Sequence, residues 1–389
     1  MYYTDLDNLR DFMLFVRNYT QLRTLSDLDY IYERNLEAGK IQPEIPNSEE
    51  FPCANVSEYR SREIPQDIKQ LRPGDIDIVA AFGDSVNAGS GIMALNAIGS
   101  IAEYRGLTFT GGGIESWRTV LTLPNILKVF NPQLYGYAVG HSLMADVKLA
   151  RFIVAEPMLM LRDLPFQAHV LIKRLKSDPQ VDMQKHWKLL NIQVGVNDIC
   201  TELCHWKDTE AFLRMEKRML KETFTLLRDN IPRLLINFIL MPDIDEIMKV
   251  IRKAPQECRG GQRFGCTCFD SYLTTRYYTA VRRMQSDQLK VAQLPEFQRR
   301  DFAIIPHSFL RNMTSLFTND GVMDMHFFSH DCVHYSQLGH AVLSKVLWNS
   351  MLEEPDVHRA KLWREPMKQF LCPNNEQRKF LRTNNDKLQ

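Results

Sequence analysis

Ser85, Asn197 and the pair Asp331-x-x-His334 are the residues of this chain whose types and spacing could do nucleophilic chemistry. A serine hydroxyl is a poor nucleophile until a histidine can take its proton. That histidine needs a carboxylate on its other ring nitrogen to fix the tautomer and stabilise the imidazolium. An aspartate and a histidine three residues apart in one turn can face the same cleft. Four of the ten histidines crowd the stretch 326–340, and His326, His330 and His340 lack an acid at the spacing that His334 has. Asn197 lies in the turn Gly195-Val196-Asn197-Asp198. Its amide is a good neutral donor to a developing oxyanion, although asparagine in such a place often only turns or caps the chain.

Elements of a particular kind must position these groups. Five short apolar segments read as buried parallel strands: 77–82 (DIVAAF), 150–155 (ARFIVA), 189–194 (LLNIQV), 234–241 (LLINFILM) and 302–306 (FAIIP). Amphipathic helical patterns lie between them, which suggests βαβ units. The clearest helix, 210–228, places Phe212, Met215, Met219 and Leu226 at helical spacing as core residues, with Asp208 or Thr209 as its cap and Pro232 beyond its end. The fold expected is α/β: a three-layer α/β/α sandwich around a five-stranded, parallel, doubly wound sheet of the flavodoxin-like kind. Ligands bind beyond the carboxyl ends of such strands. Ser85 follows the first strand there, Asn197 the third, and the Asp331–His334 turn precedes an apolar helix carrying Leu338, Val342 and Val346.

Glycines 83, 89 and 91 around the serine turn also invite a nucleotide reading. A P-loop needs a lysine that is absent here. The dinucleotide spacing begins too far past the strand, with no acid about 20 residues on to hold a ribose.

The 389 residues suffice for a large core, and 44% hydrophobic with 24% charged residues argues against wholesale disorder. A net charge of +1 gives no electrostatic case for nucleic acid. The longest mostly apolar run, near 234–241, is far too short to span a bilayer. Residues 1–70 read as a helical and irregular extension in which Phe12, Phe15 and Val16 form one face of a short helix and repeated prolines mark an extended arm. The expected catalytic domain covers 71–360, with a cysteine-containing insertion near 255–300, and 361–389 is a tail. Eight cysteines suit a disulfide framework. Cys200, Cys204 and His205, or Cys266 and Cys268, could be zinc ligands, but their spacing fits no common structural pattern, and neither a metal nor an organic cofactor is expected. A bridge at Cys332 would fix the Asp331–His334 turn. The opening MYYTDLDNLRDFMLF lacks the apolar core of a signal peptide. The cysteines and the sequons at Asn18, Asn55 and Asn312 nevertheless point to a secreted, extracellular glycoprotein whose leader is missing from this sequence.

Together, GDS after the first strand, G-x-N-D after the third and D-x-x-H near the end resemble the GDSL, or SGNH, hydrolase superfamily. EYRGLTFTGGGIESWRTVLTLPNILKVFNP, RDLPFQA (162–168), VGVNDIC and DCVHYSQLGHA are similar to its phospholipase B branch, over about 51–382. The resemblance implies Ser85 as nucleophile, His334 as base, Asp331 as its orienting acid, and Asn197 with the Ser85 N–H as oxyanion donors. It implies a serine esterase acting on phospholipid, lysophospholipid or other acyl esters, with contact to a membrane surface or micelle. Where this family normally has a glycine after the second strand, whose N–H joins the oxyanion hole, this chain has Met158, whose own backbone N–H is the third oxyanion donor expected. Loss of the glycine conformation there would leave a catalytically impaired, lipid-binding relative as one alternative. An esterase for acetylated sugars is another.

Overall fold

The computed structural model describes residues 5–242, 252–256, 258, 266–268, 275–311, 322–353 and 365–373. Among them β1 (Ile76–Gly83), β2 (Trp187–Gln193), β3 (Leu234–Ile239) and β4 (Phe302–His307) form one parallel sheet, side by side in chain order. Their register brings Gly83, Gln193, Ile239 and His307 to a common carboxyl edge. Nearly every strand residue is buried. Helices cover both faces, which is why the strands read as continuous apolar runs and not as alternating ones.

The sheet has four strands, not the five expected. Segment 150–155 is as apolar as the others and lies beside β1, but it makes a single bridge, Ala81 to Ile153. Val154 N–H donates to Ala81 O of β1, but two neighbouring donors go elsewhere. Phe152 N–H donates to Gly136 O and Ile153 N–H to Ala150 O, while Arg151 takes a left-handed turn at φ 47°. Tyr135 also competes for the same edge of β1, accepting from Val79 N–H. Two short segments share one edge, and neither builds a ladder.

Helices α1 (Asp5–Ser26) and α2 (Leu28–Glu37) precede the sheet, and the four-residue α3 (Ser85–Ala88) follows β1. Next come α4 (Leu123–Phe130), the single turn α5 (Val147–Ala150), α6 (Leu164–Ser177), α7 (Thr209–Asn230), α8 (Thr275–Ala292) and α9 (Gln337–Leu352). On one face Ile78, Phe82, Ile192 and Phe238 pack with Leu171 of α6, Phe212 and Phe224 of α7 and Val281 of α8. On the other, Val79, Leu189 and Leu235 pack with Leu127 of α4 and Val342 and Trp348 of α9. The result is an α/β sandwich with two separate cores. The cap of α7 is Asp208, which accepts from the Glu210 and Ala211 N–H groups. Its fully buried face is Phe212, Leu213, Glu216, Leu220, Thr223, Phe224 and Leu227, whereas Met215, Met219 and Leu226 lie half-buried at its margin.

Helix α1 is longer than expected and turned the other way. Phe12, Phe15, Tyr19 and Leu22 form a single stripe, but it faces solvent, at 59%, 64%, 56% and 69% exposure. The buried side is polar: Thr20, Gln21, Thr24 and, partly, Arg17. The cause lies beneath it. Glu103 is fully buried, and Gln21 pairs with both its N–H and its carbonyl. The Glu103 carboxylate takes Arg17 from α1 and the fully buried Arg105 from its own loop. Satisfying a buried charge outranks burying an aromatic face, because an unpaired carboxylate costs far more than an exposed phenylalanine.

All eight cysteines are paired: Cys53–Cys372, Cys200–Cys266, Cys204–Cys268 and Cys258–Cys332. The expected insertion contributes three of them and also α8; 257, 259–265 and 269–274 within it lie outside the described residues, as does the Asn312 sequon. No helix among the described residues is long and apolar enough to cross a membrane.

Candidate active site

The serine turn is built by tight packing at the end of β1. Gly83 has φ 130°, and a Cβ there would fall 2.0 Å from the Gln193 carbonyl oxygen, so glycine alone fits. Gln167 of α6 clamps both polar groups of Gly83: its Oε1 accepts from the N–H and its Nε2 donates to the carbonyl, each at 2.9 Å. Asn87 donates to Phe82 O and accepts from Thr110, whose carbonyl accepts from Asn191 of β2. Asp84 caps α3 through Val86 N–H, and Ser85 is left partly exposed just beyond the sheet edge.

The second component is the turn before α9. Asp331 Oδ1 accepts from the Val333 and His334 N–H groups, which shapes the turn around the carboxylate. Asp331 Oδ2 then accepts from His334 Nδ1 at 2.6 Å, and Ser85 Oγ donates to His334 Nε2 at 2.8 Å. The structure therefore joins Asp331, His334 and Ser85 in one hydrogen-bonded chain. Burial disfavours the His334 imidazolium, but adjacent Asp331 and the nearby Asp84 outweigh it and the net shift is upward. Burial likewise opposes the Asp331 carboxylate, yet His334 and the backbone donors hold its pKa down at about 2. Asp84, fully buried, is pushed up to about 6 by desolvation. Sequence spacing had not marked Asp84, though an acid between an apolar strand and a candidate nucleophile is a readable signal.

Cys332 sits inside this turn at φ 60°, a conformation that costs a side-chain-bearing residue about 1–2 kcal/mol. Its N–H donates to Ser329 O, and its bridge to Cys258 ties the turn to the stretch before α8. The double variant Cys258→Ser/Cys332→Ser is expected to lose about 2–5 kcal/mol of stability, the usual effect of removing a native disulfide. Urea unfolding measures this, and an unchanged midpoint would mean the bridge restrains nothing.

Other histidines nearby have structural partners. His326 Nδ1 donates at 2.6 Å to Asp324 Oδ1, an acid two residues before it. His340 accepts from Phe109 N–H and is driven down to about 3 by burial, so it stays neutral. Cys204, His205 and Cys268 come close enough together for a metal. Cys204 and Cys268 are bonded to each other, so their sulfurs are not thiolate ligands.

The third donor position expected from sequence, Met158, lies on a loop after segment 150–155. Met158 has φ 61°, so a methionine holds the left-handed conformation that glycine favours. Its side chain is 61% exposed, and its N–H has no partner among the described residues. The loop is held at several points. Glu156 N–H donates to Gly83 O, Asn197 Nδ2 donates to Leu159 O at 2.9 Å, and Leu161 N–H is shared by the two Asp198 oxygens at 3.0 and 3.2 Å. One hydrogen of the Asn197 amide is thus used on the loop, and the other has no partner among the described residues. Glu156 also accepts from Arg17 at 2.8 Å, which connects α1 to this loop.

Comparison with known proteins agrees with this arrangement. Residues 79–347 match the family model described as GDSL-like Lipase/Acylhydrolase. The chain is 33% identical over 342 residues to human "Phospholipase B1, membrane-associated", and 32% identical over 333 residues to the mouse protein of that name. The matched part is 85% and 82% of this chain but in each case 22% of the relative. The chain therefore spans only about a fifth of the length of these curated relatives.

Proposed function

The chain belongs to the GDSL-like lipase/acylhydrolase family, and from that premise we propose that it is a serine esterase cleaving acyl esters of phospholipids or lysophospholipids. The observation that carries this reading is the continuous chain Ser85 Oγ, His334 and Asp331 at 2.8 and 2.6 Å. Ser85 attacks the ester carbonyl while His334 Nε2 takes its proton. The tetrahedral oxyanion is held by the Ser85 N–H, the free hydrogen of the Asn197 amide and the Met158 N–H. His334 returns the proton to the leaving alcohol, and water, activated in the same way, releases the acyl group. Every proton moves between chain and substrate, so the steps balance without a metal or cofactor.

The non-catalytic, lipid-binding alternative rested on the loss of a glycine at Met158. Its φ of 61° supports the catalytic reading instead, since the backbone keeps the glycine-like course and with it the direction of the N–H. The cost is about 1–2 kcal/mol of local strain, offset elsewhere in the loop's hydrogen bonds.

A lipid aggregate is the substrate form that the surface supports. The outward stripe of α1, the exposed Ile98 beside the turn that α1 packs on, and Met158, two residues past the Arg17 partner Glu156, are exposed apolar groups on α1 and on the segments that it touches. Four disulfides support an oxidising, extracellular location.

The test is turnover by the purified chain of a short-chain p-nitrophenyl ester and of micellar lysophospholipid. Hydrolysis of both is expected, and absence of either activity in folded protein overturns the corresponding part. Phe12→Ser/Phe15→Ser is expected to raise KM for micelles about a hundredfold, since transferring two rings contributes about 3 kcal/mol, and to leave the soluble ester unaffected. Equal KM values would remove the surface contact. Release of acetate from acetylated glycans, with phospholipids untouched, would favour the sugar-ester alternative.

A further inference from the structure

Asp198 and Glu216 form a buried acid pair behind the oxyanion loop. Asp198, fully buried, follows Asn197 directly, and both of its oxygens accept from Leu161 N–H. Glu216, 3% exposed, lies on the buried face of α7, and its oxygens meet no donor among the described residues. Its neighbour is the Asp198 carboxyl, within hydrogen-bonding reach. Two carboxylates in such contact cannot both accept; one must carry a proton.

We propose that Glu216 is a positioning residue that donates a proton to Asp198, and that this shared proton fixes the loop presenting the Met158 N–H. The proton lets Asp198 stay an acceptor for Leu161 while Asn197, one residue before it, holds Leu159. Met158 is thereby fastened on its C-terminal side at two points, both from the turn that also carries the Asn197 amide. The two side-chain and backbone donors of the oxyanion hole share one support.

The charges around the pair are consistent with one retained proton. Burial raises both acids, and each repels the charge of the other. Glu202, on the turn that Asp198 begins, adds to the repulsion. Arg162, beside Asp163 on the turn Leu161–Asp163, lowers Glu216, and it is already ion-paired with Glu202. On α8, Arg283 and Asp287 pair with Glu210 and Lys217 of α7.

The role rests on the esterase reading only for its kinetic consequence, so the test has two kinds of readout. Glu216→Gln keeps a neutral donor to Asp198, and Glu216→Leu removes it. Unfolding is followed from pH 6 to 10, hydrogen exchange over 156–163 at neutral pH, and kcat and KM on a soluble p-nitrophenyl ester. A raised acid makes the folded state hold a proton that the unfolded chain releases, so stability falls as pH rises towards the folded pKa. The native protein should show that slope, and Glu216→Gln should lose one proton's share of it. Glu216→Gln should keep native exchange and a kcat within about threefold, with rescue of the fall in kcat at high pH. Glu216→Leu should speed exchange over 156–163 and lower kcat about tenfold at unchanged KM, as loss of a transition-state donor does. Equal pH slopes for native protein and Glu216→Gln overturn the shared proton. Native exchange in Glu216→Leu overturns the positioning role, and if that variant does not fold, Glu216→Met, which also removes the donor, gives the same comparison. Should native protein hydrolyse no ester, the slopes and exchange still decide the pair, and the failure belongs to the esterase reading.

Discussion

Ser85→Ala is expected to lower kcat by about a million-fold, the order seen when a catalytic serine is removed from a triad, and to abolish covalent labelling by a fluorophosphonate. Folding should be unaffected. Ser85 Oγ makes its hydrogen bond to His334, and the turn itself is fixed by Gln167 on Gly83 and by Asn87 on Phe82 O, none of which needs the hydroxyl. The variant should therefore unfold within about 0.5 kcal/mol of the native protein, as for most changes that create no cavity. Residual activity well above this floor, or labelling that survives, would place the nucleophile elsewhere. The result separates a silent, folded enzyme from a misfolded one, because chemistry and stability are expected to move independently.

Much of this site was readable in the sequence because its parts are local. An apolar run ending in Gly83-Asp84-Ser85 and an aspartate three residues before His334 each need only one turn of chain. Where several local signals agree, the fold that satisfies them all is tightly constrained. Long-range competition decided the rest. Segment 150–155 has the composition of a strand, but the Phe152 and Ile153 N–H groups are taken by Gly136 and Ala150 carbonyls while Val154 N–H reaches β1, and Tyr135 occupies part of the same edge. Helix α1 carries a clean aromatic stripe, yet a buried Glu103 far along the chain turns the helix about its axis to bring Arg17 and Gln21 inward. The left-handed backbone of Met158 depends on contacts to Gly83 and Asn197 on two other turns. Glu216 could have been noticed as an acid on an apolar helix face, but nothing in the sequence indicates that Asp198 lies opposite it.

Asp331→Asn is expected to lower kcat by about 10³–10⁴-fold while leaving the turn nearly intact. The asparagine Oδ1 can still accept from Val333 and His334 N–H, so the backbone keeps its shape. The group facing His334 Nδ1 becomes a donor, however, and Nδ1 must then accept. The proton moves to Nε2, which can no longer take one from Ser85. The pH profile supplies a second, independent signature. On the esterase reading activity needs neutral His334, and the Asp331 carboxylate raises the pKa of that imidazole. kcat/KM should therefore rise with pH through a midpoint above 6.5, the ordinary histidine value. Loss of the carboxylate stabilises the imidazolium less, so the residual activity of Asp331→Asn should rise through a lower midpoint. Asp84→Asn provides the contrast. Asp84 raises the His334 pKa through space, but its Oδ1 accepts from Val86 N–H and makes no bond to the ring. That change should move the midpoint down slightly and keep kcat within about tenfold. A collapse of kcat in Asp84→Asn with activity retained in Asp331→Asn would assign the orienting acid to Asp84.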